Sequence, residues 1–132
     1  MKIFTVTYLE EGNVAPEQDN SYIRHVLLSE LKKISKEVFG KGPERINIRM
    51  IDEIIVLEFY GFLRRIELEM LQSNPHLVET VLQYREALFD FAKGEVAHRI
   101  ELIIGRKIIK HVYSVDVSNN STICLVILDR PL

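Results

Sequence analysis

Residues 73–106 read SNPHLVETVLQYREALFDFAKGEVAHRIELIIGR, and this stretch settles the architecture. Asn74 before Pro75 has the chemistry of an N-cap followed by the first helical residue. The Asn side chain accepts an orphan backbone N–H, and the fixed φ of Pro suits the opening turn. Ile104-Gly105-Arg106-Lys107 reads as the stop: glycine is free to turn left-handed, and the cations meet the negative end of the helix dipole. Between these ends Leu77, Val81, Tyr84, Leu88, Phe91, Val96, Ile100 and Ile103 recur at spacings of mostly three or four. Val78, Leu82, Phe89 and Ala92 widen the apolar face. A helix running from Ser73 to Arg106 would be roughly 45 Å long, beyond the width of so small a chain. Gly94 is where it would bend or break, at a cost of about 1 kcal/mol relative to Ala.

The segments on either side follow from the same kind of pattern. Upstream, Ile23, Leu27, Leu31, Ile34 and Val38 form an apolar stripe, with Lys32, Lys33, Lys36 and Glu37 on the wet side. This predicts a helix starting near Asp19, with Asp19, Asn20 or Ser21 as its cap, and ending at Phe39-Gly40-Lys41-Gly42-Pro43. Ile46, Ile48 and Met50 then alternate with Arg45, Asn47 and Arg49, as a half-buried strand requires. Ile51-Asp52-Glu53 makes a turn lacking the glycine expected of a tight hairpin, and Ile54 to Tyr60 returns as a more central strand. A short helix, Arg64 to Gln72, should place Leu63, Ile66, Met70 and Leu71 inward. Downstream of the long helix, Lys107 to Val117 and Thr122 to Leu128 read as strands joined by Ser118-Asn119-Asn120-Ser121.

The order is α-β-β-α-α-β-β, which predicts an α+β domain with helices on one face of a mostly antiparallel sheet. Residues 1–18 stand apart: Lys2 to Leu9 is strand-like and Glu10 to Pro16 breaks it, suggesting an arm or edge strand ahead of a single domain at 19–132.

Composition narrows the function classes. The 132 residues are 47% hydrophobic and 27% charged, with a net charge of −2. These are ordinary globular values with no general pull toward nucleic acid or anionic lipid. The longest apolar runs are far too short to span a bilayer, so membrane insertion is not expected. Neither is a signal peptide, since the start lacks a long apolar stretch and a small-residue cleavage site. The lone Cys124 excludes an intramolecular disulfide and a cysteine metal cluster, and the cytoplasm follows as the default location.

No motif in the chain points to catalysis or to a cofactor. Gly40-Lys41-Gly42-Pro43 invites a phosphate-loop reading, but it follows a helix and precedes a strand, the reverse of what a Walker loop needs. His25, His76, His98 and His111 show no metal-ligand spacing. The scattered carboxylates give no pair whose environments differ, and no serine sits in a nucleophile-elbow context. The basic residues are more suggestive. Lys41, Arg45, Arg49, Arg64 and Arg65 could form an anion-binding or nucleic-acid surface. No aromatic stacking strand accompanies them, which argues against nucleic acid. Salt bridging to the acidic helices is the simpler account.

Several of these segments together resemble the MpsC-like family, named for the Na+-translocating membrane-potential-generating system and first described as a domain of unknown function. The resemblance rests on Gly40, Gly42 and Pro43 leading into a strand, the Asp52-Glu53 turn and the strand Ile54 to Phe59. Gly61-Phe62-Leu63 follows with Glu67 and Leu71, then Arg85 in the long helix, and Ile103-Ile104-Gly105-Arg106-Lys107-Ile108 before the last hairpin. It covers about residues 20 to 129. Family members usually carry Leu-Thr after the second strand, where Thr could cap a helix; here Leu63 is followed by Arg64, which cannot. The resemblance implies a small protein linked to a membrane system for ion or inorganic-carbon uptake, and it supplies no catalytic residues.

Three structural expectations complete the reading. Ile55, Leu57 and Phe59 should share the sheet face covered by Leu27, Leu31 and the long helix. Arg85 should pair with a carboxylate on a preceding element, Glu67 first. A homodimer should form through the helix at 75–104, because Leu77, Val81, Tyr84 and Leu88 can face the chain's own sheet while Val78, Leu82, Phe89 and Val96 need another cover.

Overall fold

A computed structural model describes residues 14–132, with side chains from Asn20 onward. Helix α1 (Val14–Phe39) leads into the hairpin of β1 (Arg45–Ile51) and β2 (Ile54–Tyr60). Helix α2 (Arg65–Ser73), a single 3-10 turn at Pro75–Leu77 and the long helix α3 (Val78–Ile104) follow, before the hairpin of β3 (Ile108–Asp116) and β4 (Ser121–Leu128). The sheet order is β1-β2-β4-β3, and every pairing is antiparallel. The two hairpins therefore meet through their second strands, the more apolar member of each pair.

Alternation decides which face is covered. Leu57 sits opposite Ile48 and Cys124, and Ile55 opposite Met50 and Val126. Together with Leu128 they pack against Leu27 and Leu31 of α1 and Ile100 and Ile104 of α3. Phe59 packs partly buried on the same cluster, so the predicted register of β2 holds. A second cluster of Phe62, Leu63, Val81 and Val117 seats α2 and the start of α3 at one end of the sheet. Arg99 ties α3 to α1 through Glu30 and Glu37, each at 2.6 Å.

Several local expectations are corrected. Helix α1 begins at Val14 rather than at Asp19. Pro16 falls in its first turn, where the missing N–H is one of the unpaired donors anyway. Asn20 is buried within the helix instead of capping it. The strand expected at Lys2 to Leu9 lies outside the described residues. The turn Asp52-Glu53 is a tight two-residue hairpin, because Asp52 itself takes the left-handed conformation (φ 52°).

Asn74 does not cap the long helix with its side chain. Its N–H donates to the Met70 carbonyl at 2.8 Å, closing α2, while its own carbonyl accepts from Leu77 at 3.0 Å. Helix α3 therefore starts at Val78, and its 27 residues span about 40 Å. It ends as predicted: Gly105 is left-handed (φ 68°) and donates to the Glu101 carbonyl at 2.9 Å. The helix runs unbroken through Gly94, where an added Cβ would meet nothing within 4 Å.

The faces of α2 and α3 also differ from the prediction. In α2, Glu67 takes the buried position, and this rotates Ile66 and Met70 outward. In α3 the inward line is Val81, Arg85, Phe89, Val96, Ile100 and Ile104. Phe89 stacks at 4.5 Å on Tyr113 and 5.5 Å from His111 of β3. Tyr84, expected inside, is 54% exposed, and Phe91 is 94% exposed. An apolar pattern on several sides leaves a helix's rotation open, and here the partners of Arg85 and Arg99 fix it.

Candidate functional site

Where β2 leaves the sheet, the chain builds a buried ionic centre. Gly61 (φ 71°) turns the backbone so that Phe62 and Leu63 drop into the core. A Cβ at Gly61 would lie 2.6 Å from Glu44 Cδ, the end of an exposed side chain that is free to move aside. The Glu67 carboxylate accepts the Arg64 backbone N–H at 2.8 Å, stabilising the α2 N-terminus as the acidic half of a capping box does. The same oxygen lies 2.5 Å from Arg85 Nη2, which also donates to the Phe62 carbonyl at 3.2 Å. Arg85 is thus paired with Glu67, as expected.

Two aromatic rings lie against the guanidinium of the pair, a feature sequence spacing did not reveal. The Arg85 guanidinium lies 5.0 Å from the ring centres of both Phe39 and Phe62. Such contacts contribute roughly 2 kcal/mol when desolvated. Burial pushes the Glu67 carboxyl up, but the hydrogen bonds from Arg85 and from the Arg64 N–H, with both guanidinium charges, hold it below the usual value. Both acceptors of Arg85 are on Nη2, and its buried Nε has no hydrogen-bond partner among the described residues.

The Gly40-Lys41-Gly42-Pro43 turn lies against the same corner. Gly40 is left-handed (φ 82°) and donates to the Lys36 carbonyl, ending α1. Lys41 donates to the Gly61 carbonyl at 2.6 Å and stands 3.9 Å from Glu44. Each of the other basic residues is also engaged locally. Arg45 lies 4.2 Å over the Tyr60 ring, and Arg49 is 3.3 Å from Glu58. Arg64 is 3.6 Å from Glu67, while Arg65 reaches Glu69 at 2.7 Å on an exposed face. The fold gathers Lys41, Arg45 and Arg64 near Gly61, leaves Arg49 further along β1, and points Arg65 outward on α2.

Beside the ionic centre, α1 and α3 leave an apolar cavity of about 120 Å³ over the sheet. Phe39, Phe59, Phe62, Phe89, Ile100 and Cys124 supply much of its wall, with Arg85 and Tyr113 also lining it. Burial, and then the charges of Glu86 and Asp90, raise the Tyr113 phenol. Burial alone pushes the Cys124 thiol up to about 11. No group of His, Cys, Asp and Glu among the described residues could hold a metal ion. The cavity is formed by residues from five elements, so no local motif announces it.

The molecule is thus a small α+β domain with a charged pair buried at one end of its sheet. No helix among the described residues is long and apolar enough to cross a membrane. Residues 20–130 match the family described as the Na+-translocating membrane potential-generating system (MpsC), and the chain belongs to that family. It is also similar to the uncharacterized protein YrhF of Bacillus subtilis (strain 168), with 27% identity over 103 residues, 77% of this chain and 84% of that protein. No solved structure matches it.

Proposed function

We propose that this chain is a non-enzymatic accessory of the membrane Na+ system for which its family is named, acting in the cytoplasm through protein contacts, as a homodimer. The family description supplies the context. With no membrane-crossing helix among the described residues, a role at the membrane would run through contact with other subunits.

The observation that carries the reading is on the outer side of α3. Phe91 is 94% exposed, flanked by Tyr84 at 54% and Leu102 at 71%. Ala87, Gly94 and His98 lie exposed between them. These positions recur at three or four residues, so they form one stripe along the helix. Large apolar side chains exposed along one helix face suit an interface. A second copy suits it, since an antiparallel α3 can seat Phe91 in the gap over the partner's Gly94, under two-fold symmetry. The contact stays on α3, as the notion of a long-helix dimer requires, but on the side of Tyr84 and Phe91 rather than Phe89 and Val96.

Sedimentation equilibrium at micromolar concentration tests the dimer. The expected mass is twice the 15.4 kDa of one chain, falling to the single-chain value for Phe91→Glu with the same circular dichroism. A single-chain mass unchanged as concentration rises refutes it. Co-purification from membranes at low salt tests the accessory role, with recovery of a membrane-spanning subunit expected.

A further inference from the structure

We infer that the cavity between α1, α3 and the sheet is a binding site for a single-chain amphiphile, an apolar chain ending in a carboxylate. Its volume, about 120 Å³, approaches that of engineered apolar cavities of about 150 Å³ that stay dry and take up benzene. It is therefore large enough for several carbons of an alkyl chain, and it is lined mainly by aromatic and aliphatic side chains from α1, β2, α3, β3 and β4.

The head group follows from the polar atoms. Among the described residues every charged side chain that lines the cavity is basic, Lys41, Arg85 and Lys93, with His111 the titratable addition and no carboxylate among them. Arg85 is 3% exposed, and its Nε lacks a hydrogen-bond partner among the described residues. An orphaned buried donor is costly, and an acceptor brought by a ligand would satisfy a guanidinium whose two protein acceptors share one nitrogen. Lys41 and Lys93 are partly exposed and stand at the rim. Lys93 has a neighbouring carboxylate, Asp90 at 3.4 Å, loose enough for its ammonium to turn toward an incoming anion, while Lys41, held on the Gly61 carbonyl at 2.6 Å, adds its charge from a fixed place. An apolar wall with a positive rim selects an alkyl carboxylate over an alkane or an organic cation.

Titration of the full chain with cis-parinaric acid, a fluorescent fatty acid, tests the assignment. Saturable binding at one site per chain is expected. Ala97 lines the cavity, so Ala97→Phe, or Ala97→Leu if the larger ring prevents folding, should weaken binding at least about tenfold while the chain stays folded by circular dichroism. Decanoate should displace the probe at lower concentration than decanol. Flotation with phosphatidylcholine vesicles separates the two sources of such a chain: a protein that stays below the vesicles takes the free acid, and one that floats, but not as Ala97→Phe, takes a chain from the bilayer. No saturable signal, unchanged affinity in a folded Ala97 variant, or equal displacement by decanol overturns the proposal. The dimer reading is separate, since Phe91→Glu should leave the probe's affinity unchanged.

Discussion

Replacing Arg85 with Met removes one partner of a buried ion pair and keeps most of the side-chain volume. Glu67, only 5% exposed, would be left with the Arg64 backbone N–H and without the guanidinium. Breaking such a pair costs about 3–5 kcal/mol, because the remaining charge is stranded. For a chain of this size about 3–4 °C of Tm is lost per kcal/mol, so Tm at pH 7 should fall by roughly 9–20 °C. The pH dependence is the sharper readout. In the native protein the Glu67 carboxyl is held below its ordinary 4.5. The stabilisation it gives is therefore fully present above about pH 4.5 and is lost as pH falls through the folded-state value. In Arg85→Met the desolvation persists while the main opposing interaction is gone, so the folded-state pKa moves up and the stabilisation gained above about pH 4.5 shrinks. Urea denaturation of both proteins between pH 4 and pH 7 measures this, with the difference between them largest at pH 7. The double variant Arg85→Met, Glu67→Leu should recover much of the loss, since no charge remains buried. A Tm for Arg85→Met within about 3 °C of the native value, or a difference independent of pH, would refute the reasoning.

Leu57 is 2% exposed at the centre of the covered sheet face, so Leu57→Ala should cost about 2–5 kcal/mol, read as a lower urea midpoint with unchanged slope. Gly61→Ala should destabilise by at least about 1 kcal/mol in the same assay, since φ is 71°, a left-handed conformation that an L side chain disfavours. Gly94→Ala, in open space, should instead strengthen the helix of the isolated chain by about 0.5–1 kcal/mol, measured in the Phe91→Glu background to exclude subunit contacts. The Cys124 thiol, pushed up to about 11 by burial, should resist dithionitrobenzoate at pH 8 in the folded protein and react at once in guanidinium chloride.

What could be read along the chain was whatever depends on local periodicity and backbone chemistry. Alternation at Ile46, Ile48 and Met50, and the near-continuous apolar run of β2, fixed the strands and their faces, because a register slip of one residue would turn the buried set to solvent. Gly105 fixed the end of α3, since few other residues take a left-handed C′ at so little cost. The Arg85–Glu67 pair was reachable because Arg85 falls at the edge of an apolar stripe, where a buried charge needs a partner.

Tertiary packing decided the rest. The rotation of α3 could not be read from a helix with apolar residues on several sides. It was set by the guanidinium of Arg85 between Phe39 and Phe62, by Arg99 on α1, and by Phe89 on Tyr113. The inward turn of Glu67 sent Ile66 and Met70 to the surface against their hydrophobicity, because the cost of an unpaired buried Arg85 exceeds that of two exposed apolar side chains. Of the five basic residues, Lys41, Arg45 and Arg49 were engaged by groups far off in sequence or across a strand pair, Gly61, Tyr60 and Glu58, while Arg64 and Arg65 met Glu67 and Glu69 three and four residues on. The cavity exists only where α1, α3 and three strands converge, and a void between elements leaves no pattern in any one of them.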